Sequence, residues 1–209
     1  MFSKKLDIKI KTRLFPYIEN VNKMKDLKID HESICYISLR EDADMITKII
    51  KESITLKENE KFSDLYITDA TAGVGGNTIS FGKTFKYVNA IEIDKIRFKY
   101  LQNNIEVYNL NNVNVYNNDC LDILHRLYHD IIFFDPPWGG KNYKFQDNLK
   151  LKLSDNHIED ICIDIKNKSW TRCIVLKLPL NYDIDFLKVK LNNYDMSIHT
   201  LNKMLIVVL

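Results

Sequence analysis

The chain has 209 residues, 45% of them hydrophobic and 28% charged, and its 30 Lys and Arg against 28 Asp and Glu leave a formal net charge of +2. That size and balance describe one globular domain able to bury a core without disulfide or metal staples, and they exclude a sequence-blind nucleic-acid coat and an acidic disordered tail. Six glycines and four prolines exclude collagenous and low-complexity chains. The longest apolar runs, at 131–134 and 205–209, are too short to span a membrane.

Charge is uneven along the chain. Residues 1–30 carry eight Lys or Arg (Lys4, Lys5, Lys9, Lys11, Arg13, Lys23, Lys25, Lys28) and four acids, a local +4, which leaves about −2 for the remainder. Such an arm suits a polyanionic ligand or forms a solvated, partly frayed terminus. No apolar run follows Met1-Phe-Ser-Lys-Lys, so no signal peptide is expected. Residues 42–54 place Met45, Ile46, Ile49, Ile50 and Ile54 at helical spacing. From residue 64 the pattern becomes strand, turn, helix, repeated: strands at 64–69, 87–93, 113–116, 131–134 and 171–178, and helices at 94–108, 121–128 and near 156–168. The first of those helices puts Ile96, Tyr100, Leu101, Asn104 and Tyr108 on related faces, and the 131–134 run reads as a strand buried on both sides. Segments 196–200 and 204–209, joined around Asn202-Lys203, read as an antiparallel hairpin. The expected fold is therefore α/β: a Rossmann-like, doubly wound, mostly parallel sheet with a C-terminal antiparallel hairpin and a short N-terminal helical extension. The expected division is an extension over 1–55 and a core over 56–209.

Cys35, Cys120, Cys162 and Cys173 show no paired spacing and no nearby histidine pattern, so they read as buried or half-buried thiols of a reducing intracellular compartment, cytoplasmic or nuclear, with no metal site. None of His31, His125, His129, His157 and His199 accompanies a plausible nucleophile, so they read as surface or structural residues.

In an open α/β sheet the ligand sits beyond the carboxyl ends of the strands. Four of those ends carry an acid here: Asp69, Glu92 with Asp94, Asp119 and Asp135. The loop Asp69-Ala-Thr-Ala-Gly-Val-Gly-Gly76 lacks the G-x-G-x-x-G spacing of a dinucleotide site, and its leading acid would repel phosphate. It suits the cationic amino-acid end of S-adenosylmethionine. Glu92 is placed to accept ribose hydroxyls, with Asp94 as the competing candidate or a helix cap. Asp119 is placed to accept from an adenine amine, or is a turn aspartate. In Asp135-Pro136-Pro137-Trp138 two prolines stiffen a loop that offers a carboxylate to an sp2 amine and an aromatic face to a base, above all a cationic one. Tyr143, Lys141, Lys144, Lys150 and Lys152 follow, either as phosphate contacts or as a solvated face.

The stretches 69–81 (Asp-Ala-Thr-Ala-Gly-Val-Gly-Gly-Asn-Thr-Ile-Ser-Phe), 90–94 (Ala-Ile-Glu-Ile-Asp), 103–108 (Asn-Asn-Ile-Glu-Val-Tyr) and 136–140 (Pro-Pro-Trp-Gly-Gly) resemble the trimethylguanosine synthases, cap guanine-N2 members of the class I S-adenosylmethionine-dependent methyltransferases. Weaker echoes run from Arg13-Leu-Phe15 and the stretch leading to Ser38 through to 178–185. The resemblance implies transfer of methyl to the N2 amine of a 7-methylguanosine RNA cap, leaving S-adenosylhomocysteine. It implies cofactor contacts from Asp69, Thr71, Gly73, Gly75, Asn77, Thr78, Glu92, Asp119, Cys120 and Asp135. It implies catalytic roles for Asp135, Pro136 and Trp138, and substrate contacts from Trp138, Asn104, Ser38, Lys141 and Tyr143. The expected partner is m7G-capped RNA or a cap dinucleotide, with no membrane and a monomeric chain. Two positions depart from the family: Asp135 stands where Ser is usual, and Leu180 where a phosphate-holding Arg is usual. Asp135 also fits an N6-adenine methyltransferase of RNA or DNA, and the lost arginine fits a cap-binding accessory module without turnover.

Overall fold

The computed structural model describes residues 4–209, and side chains from residue 8 onward except that of Lys141. Helices α1 (Lys4–Leu14), α2 (Ser33–Tyr36) and α3 (Arg40–Ser53) precede the first strand. Then follow β1 (Tyr66–Asp69), α4 (Gly76–Gly82), β2 (Tyr87–Ile91), α5 (Lys95–Val107), β3 (Val113–Tyr116), α6 (Cys120–Ile123) and β4 (Ile131–Phe134). A small hairpin of β5 (Lys152–Leu153) and β6 (Asn156–His157) leads into α7 (Ile158–Asn167), β7 (Cys173–Pro179), α8 (Ile184–Lys190), β8 (Ser197–Leu201) and β9 (Met204–Val208). Seven strands form one sheet in the order β3-β2-β1-β4-β7-β9-β8. The first five run parallel, and β9 returns antiparallel to both β7 and β8. Strand order reverses between β1 and β4, which makes their carboxyl ends the switch point where such sheets bind ligands.

Both faces of the sheet are covered, which is why β4 is apolar throughout and β7 is apolar except at Lys177. Ile132, Phe134, Ile174 and Leu176 pack with Ile158, Ile161, Ile165 and Leu187 of α7 and α8 on one face. Ile131, Phe133, Cys173 and Val175 pack with Ile46, Ile49 and Ile50 of α3 on the other. Lys177 continues that second row of β7 at its carboxyl end. The extension is part of the same body: Leu14, Phe15, Met24 and Leu27 form a cluster with Val74, Ile79, Leu101 and Ile105. Even Lys11 is only 7% exposed, its ammonium reaching the Lys25 carbonyl at 3.4 Å. Among the described residues no helix is long and apolar enough to cross a membrane.

The sheet and its hairpin match the expected architecture, with several corrections. From residue 8 onward the basic N-terminal segment packs on the body rather than fraying, because its apolar residues are drawn into the cluster around Leu101, and residues 1–3 lie outside the described residues. The 121–128 helix is a single α turn followed by a 3-10 turn at Leu124–Arg126. Strand β2 stops at Ile91, and Ile93 and Ile96 are exposed, so Ile96 does not share the buried face of α5. Cys35 is exposed while the other three cysteines are buried. Helix α8 was not expected; Asp183 caps it by accepting from the Phe186 N–H at 3.0 Å.

Candidate active site at the strand ends

Asp69 closes β1 and is 1% exposed. Its Oδ2 accepts from the Thr78 hydroxyl at 2.6 Å, whereas Oδ1 is buried with no hydrogen-bond partner among the described residues. Burial pushes its pKa up to about 7, an effect the Thr78 hydroxyl opposes and the nearby Asp135 and Glu92 carboxylates reinforce. Beyond it the loop turns at Gly73 (φ +55°), where an added Cβ would meet no atom within 4 Å. The backbone therefore lies open to a ligand there. Asn77, in the first turn of α4, adds a second buried unpartnered oxygen, Oδ1.

Glu92 follows β2 and holds the turn together, with Oε2 accepting from the Gly73 N–H and Oε1 from the Asp94 N–H, both at 2.8 Å. Burial raises its pKa, partly offset by those two N–H groups and by Arg97. Asp94 caps α5 by accepting from the Ile96 and Arg97 N–H groups at 2.8 and 2.9 Å, so the carboxylate nearer the loop is Glu92. Asp119 caps α6 through the Leu121 N–H at 2.9 Å and also accepts from the Ser154 hydroxyl.

The fourth strand end is built differently. Asp135 leaves β4 with its N–H on the Thr71 hydroxyl at 2.7 Å, which ties the two central loops together. Its carboxylate Oδ2 accepts from the Lys177 ammonium at 2.6 Å, and Oδ1 has no hydrogen-bond partner among the described residues. Burial raises the Asp135 pKa and the Lys177 charge opposes that. Lys177 is itself 4% exposed in its side chain and donates also to the Ser38 hydroxyl at 2.8 Å. Its ammonium stands 5.4 Å from the centre of the Trp138 ring, which is half-buried and meets Tyr143 edge-on at 5.2 Å. Tyr143 is fixed in turn by its carbonyl, which accepts from Asn181 at 2.7 Å. Pro136 is buried in the same loop.

Most of the expected residues thus gather in one site at the carboxyl ends of the strands, and three need correction. Asn104 does not line it. The side chain is fully buried, donating to the Lys28 and Val74 carbonyls and accepting from the Lys28 N–H and from Asn103, so all four of its hydrogen-bonding positions are filled. It fastens the extension to the loop over Asp69. Cys120 faces the α7 side of the core, and burial pushes its thiol up to about 12, so any ligand contact from it comes through the main chain. Ser38 is present but its hydroxyl is already held by Lys177. Leu180, at the end of β7, is 51% exposed beside the cleft, and the Lys141 side chain lies outside the described residues. Sequence reasoning missed Lys177; its signal was one charged residue in the otherwise apolar strand Cys-Ile-Val-Leu-Lys-Leu-Pro.

The donor set fits S-adenosylmethionine. Two buried unpartnered oxygens near an open glycine backbone suit an ammonium-bearing amino acid, and Glu92 suits ribose hydroxyls. Among solved structures the fold matches a precorrin-6y C5,15-methyltransferase from Geobacter metallireducens, with a TM-score of 0.60, 13% identity and coverage of 83% of this chain and 88% of that one. It also matches a human methyltransferase 10 domain containing protein, with a TM-score of 0.56, 15% identity and coverage of 98% and 94%. These likenesses define a Rossmann-like methyltransferase fold.

Residues 65–206 match the model of the RNA cap guanine-N2 methyltransferase family, and the chain belongs to that family. It is 40% identical to an uncharacterized protein of Acanthamoeba polyphaga mimivirus, over 95% of this chain and 84% of the other. It is 34% identical to the trimethylguanosine synthase of Schizosaccharomyces pombe over 56% of this chain, and 26% identical to that of Saccharomyces cerevisiae over 57%. The matched stretch is 52% and 40% of the length of those two synthases. Family and fold together make this chain a methyltransferase and imply S-adenosylmethionine as its methyl donor.

Proposed function

We propose that the chain methylates the N2 amine of a 7-methylguanosine RNA cap. The observation that carries this reading is the Asp135–Trp138 loop. It sets an orienting carboxylate and an aromatic face side by side, next to the Asp69 loop that suits the cofactor. The cofactor, when bound, supplies an electrophilic methyl on a sulfonium. Asp69 and Glu92 would hold its amino-acid and ribose ends, which fixes the depth at which the methyl sits. Trp138 offers its ring to the base, and a base carrying positive charge gains more from that face than a neutral one. Asp135 Oδ1 accepts one N–H of the exocyclic amine and so turns the nitrogen lone pair toward the methyl. The N–C bond would form as the donor's S–C bond breaks, with S-adenosylhomocysteine as the leaving group. The amine becomes acidic only after attack, so its proton then leaves without a strong base. Catalysis on this account is positioning within a water-poor cleft.

A specific observation supports a rival reading, since an Asp at this loop also suits adenine N6. The two are separated by incubating the protein with labelled S-adenosylmethionine and either m7GTP or uncapped adenine-rich oligonucleotides. Methyl incorporation into m7GTP is the expected result. Preferential labelling of adenine would replace the cap reading with the adenine one, and cofactor binding without any transfer would favour an accessory module.

A further inference from the structure

Lys177 is a charged group in the buried strand β7 that neither the sheet nor the cofactor loop requires. It sits at the last inward position on the α3 face of β7, where Cys173 and Val175 before it are purely apolar packing. An ammonium buried to this degree is strongly unfavourable unless it is paired, so its place in the fold depends on Asp135. It makes three contacts with two distant parts of the chain: Asp135 and the Trp138 ring in the loop after β4, and Ser38 in the N-terminal extension. The extension reaches this point closely, since a Cβ on Gly76 would stand 2.7 Å from Ile37 Cγ1 and 3.4 Å from the Ser38 carbonyl. With Oδ2 held at 2.6 Å, the Asp135 carboxylate has one oxygen fixed and one, Oδ1, available. The charged pair is neutral as a unit. Without Asp135, a bare ammonium would stand 5.4 Å from the ring proposed to receive a cationic base.

We propose that Lys177 is a positioning residue for methyl transfer: its ammonium fixes the Asp135 carboxylate in the rotamer that presents Oδ1 to the acceptor amine, and the two charges cancel beside Trp138. The proposal rests on the cap-methylation reading above. Its consequence is a split between binding and turnover. Loss of Lys177 alone leaves an uncompensated carboxylate, which attracts a cationic base while orienting its amine poorly. Loss of Asp135 charge alone leaves an ammonium that repels the base.

The test compares Lys177→Met, Asp135→Asn and the double variant with the wild-type protein, using m7GTP and S-adenosylmethionine. Lys177→Met is expected to lower kcat about 10-fold with the KM for m7GTP unchanged or lower, the pattern of lost orientation rather than lost binding. The charged groups near Asp135 are Lys177 from β7 and the Asp69 carboxylate at the end of β1. Removing the one cation among them raises the Asp135 pKa further. The acid limb of the rate profile therefore moves to higher pH. Asp135→Asn is expected to weaken m7GTP binding about 10-fold, and the double variant to recover most of that binding, because neighbouring groups couple.

An unchanged acid limb, a raised KM with kcat intact, or strictly additive binding losses would overturn the proposal. Should Lys177→Met fail to fold, the comparison of Asp135→Asn with the charge-free double variant decides it, recovery supporting the pair and additivity refuting it. Should the wild-type protein transfer no methyl to m7GTP, the functional reading fails separately. The positioning role is then judged by carbon-13 NMR of the Asp135 carboxylate with S-adenosylhomocysteine bound. An upward shift of its titration in Lys177→Met supports the pair, and no shift overturns it.

Discussion

Asp69 and Asp135 end adjacent parallel strands and face one cleft, yet they are held in opposite ways. Asp69 is 1% exposed, has a hydroxyl as its only side-chain partner, and keeps one oxygen with no partner among the described residues. Asp135 carries its own counter-cation, Lys177, at 2.6 Å. A buried carboxylate without a cation is unfavourable until a positively charged ligand arrives, so Asp69 is suited to bind one. A carboxylate whose charge is already matched has little to gain from a second cation. What Asp135 retains is a direction, set by the oxygen that Lys177 leaves open. Neutralising the two acids should therefore have opposite consequences.

The largest expected effect is on stability. Asp135→Ala strands the Lys177 ammonium and is expected to cost about 3–5 kcal/mol, a melting-temperature drop of roughly 10 °C. Asp69→Asn should do the reverse above neutral pH. With the folded pKa of Asp69 pushed up to about 7 from an ordinary value of 3.8, its contribution to stability is full below about pH 4 and is lost as the pH rises to 7. The cofactor-free Asn variant should therefore lack that decline and melt higher than wild type at about pH 8, but not at about pH 5. A melting curve for Asp69→Asn that parallels wild type at both pH values would contradict the assignment.

Cofactor affinity comes next. Asp69→Asn should weaken S-adenosylhomocysteine binding about 30-fold by calorimetry, the scale of one charge-assisted hydrogen bond. In the wild-type protein that affinity should rise as the pH passes about 7 and Asp69 ionises. Trp138→Ala should weaken m7GTP binding about 20-fold while S-adenosylhomocysteine binding stays within twofold. Loss of both would mark the ring as a structural wedge between the two loops. The smallest effect belongs to the support beneath Asp69. Asn104→Ala should lower the melting temperature by roughly 4–6 °C, and reduce cofactor affinity only through the loosened loop at Val74.

The same contrast explains what could be read from residue order. The Asp69 site is contiguous: acid, open glycine, Asn77 and Thr78 fall within ten residues, and the strand-and-helix alternation places Glu92 beside them. The sheet was legible for a similar reason, since strands apolar on both faces alternate with helices. The Asp135 site is assembled across the fold. Lys177 is 42 residues from Asp135 and 139 from Ser38, and only the β4–β7 register brings the first two together. Asn104 was misplaced because a polar residue on a helix looks alike whether it faces a ligand or, as here, the backbone of Lys28, 76 residues earlier. The extension read as either a ligand-binding arm or a partly frayed terminus because seven lysines are scattered through its first 30 residues, although Phe15 and Met24 are almost completely buried.

The most direct test of the account is a structure of the protein with S-adenosylhomocysteine and m7GTP bound together. The ligand's ammonium is expected at Asp69 and the base against Trp138. The guanine N2 should lie within hydrogen-bond reach of Asp135 Oδ1, about 2.7–3.2 Å, with Lys177 still on Oδ2. A base bound away from Trp138, or one whose N2 points out of the cleft while Asp135 remains locked to Lys177, would contradict it.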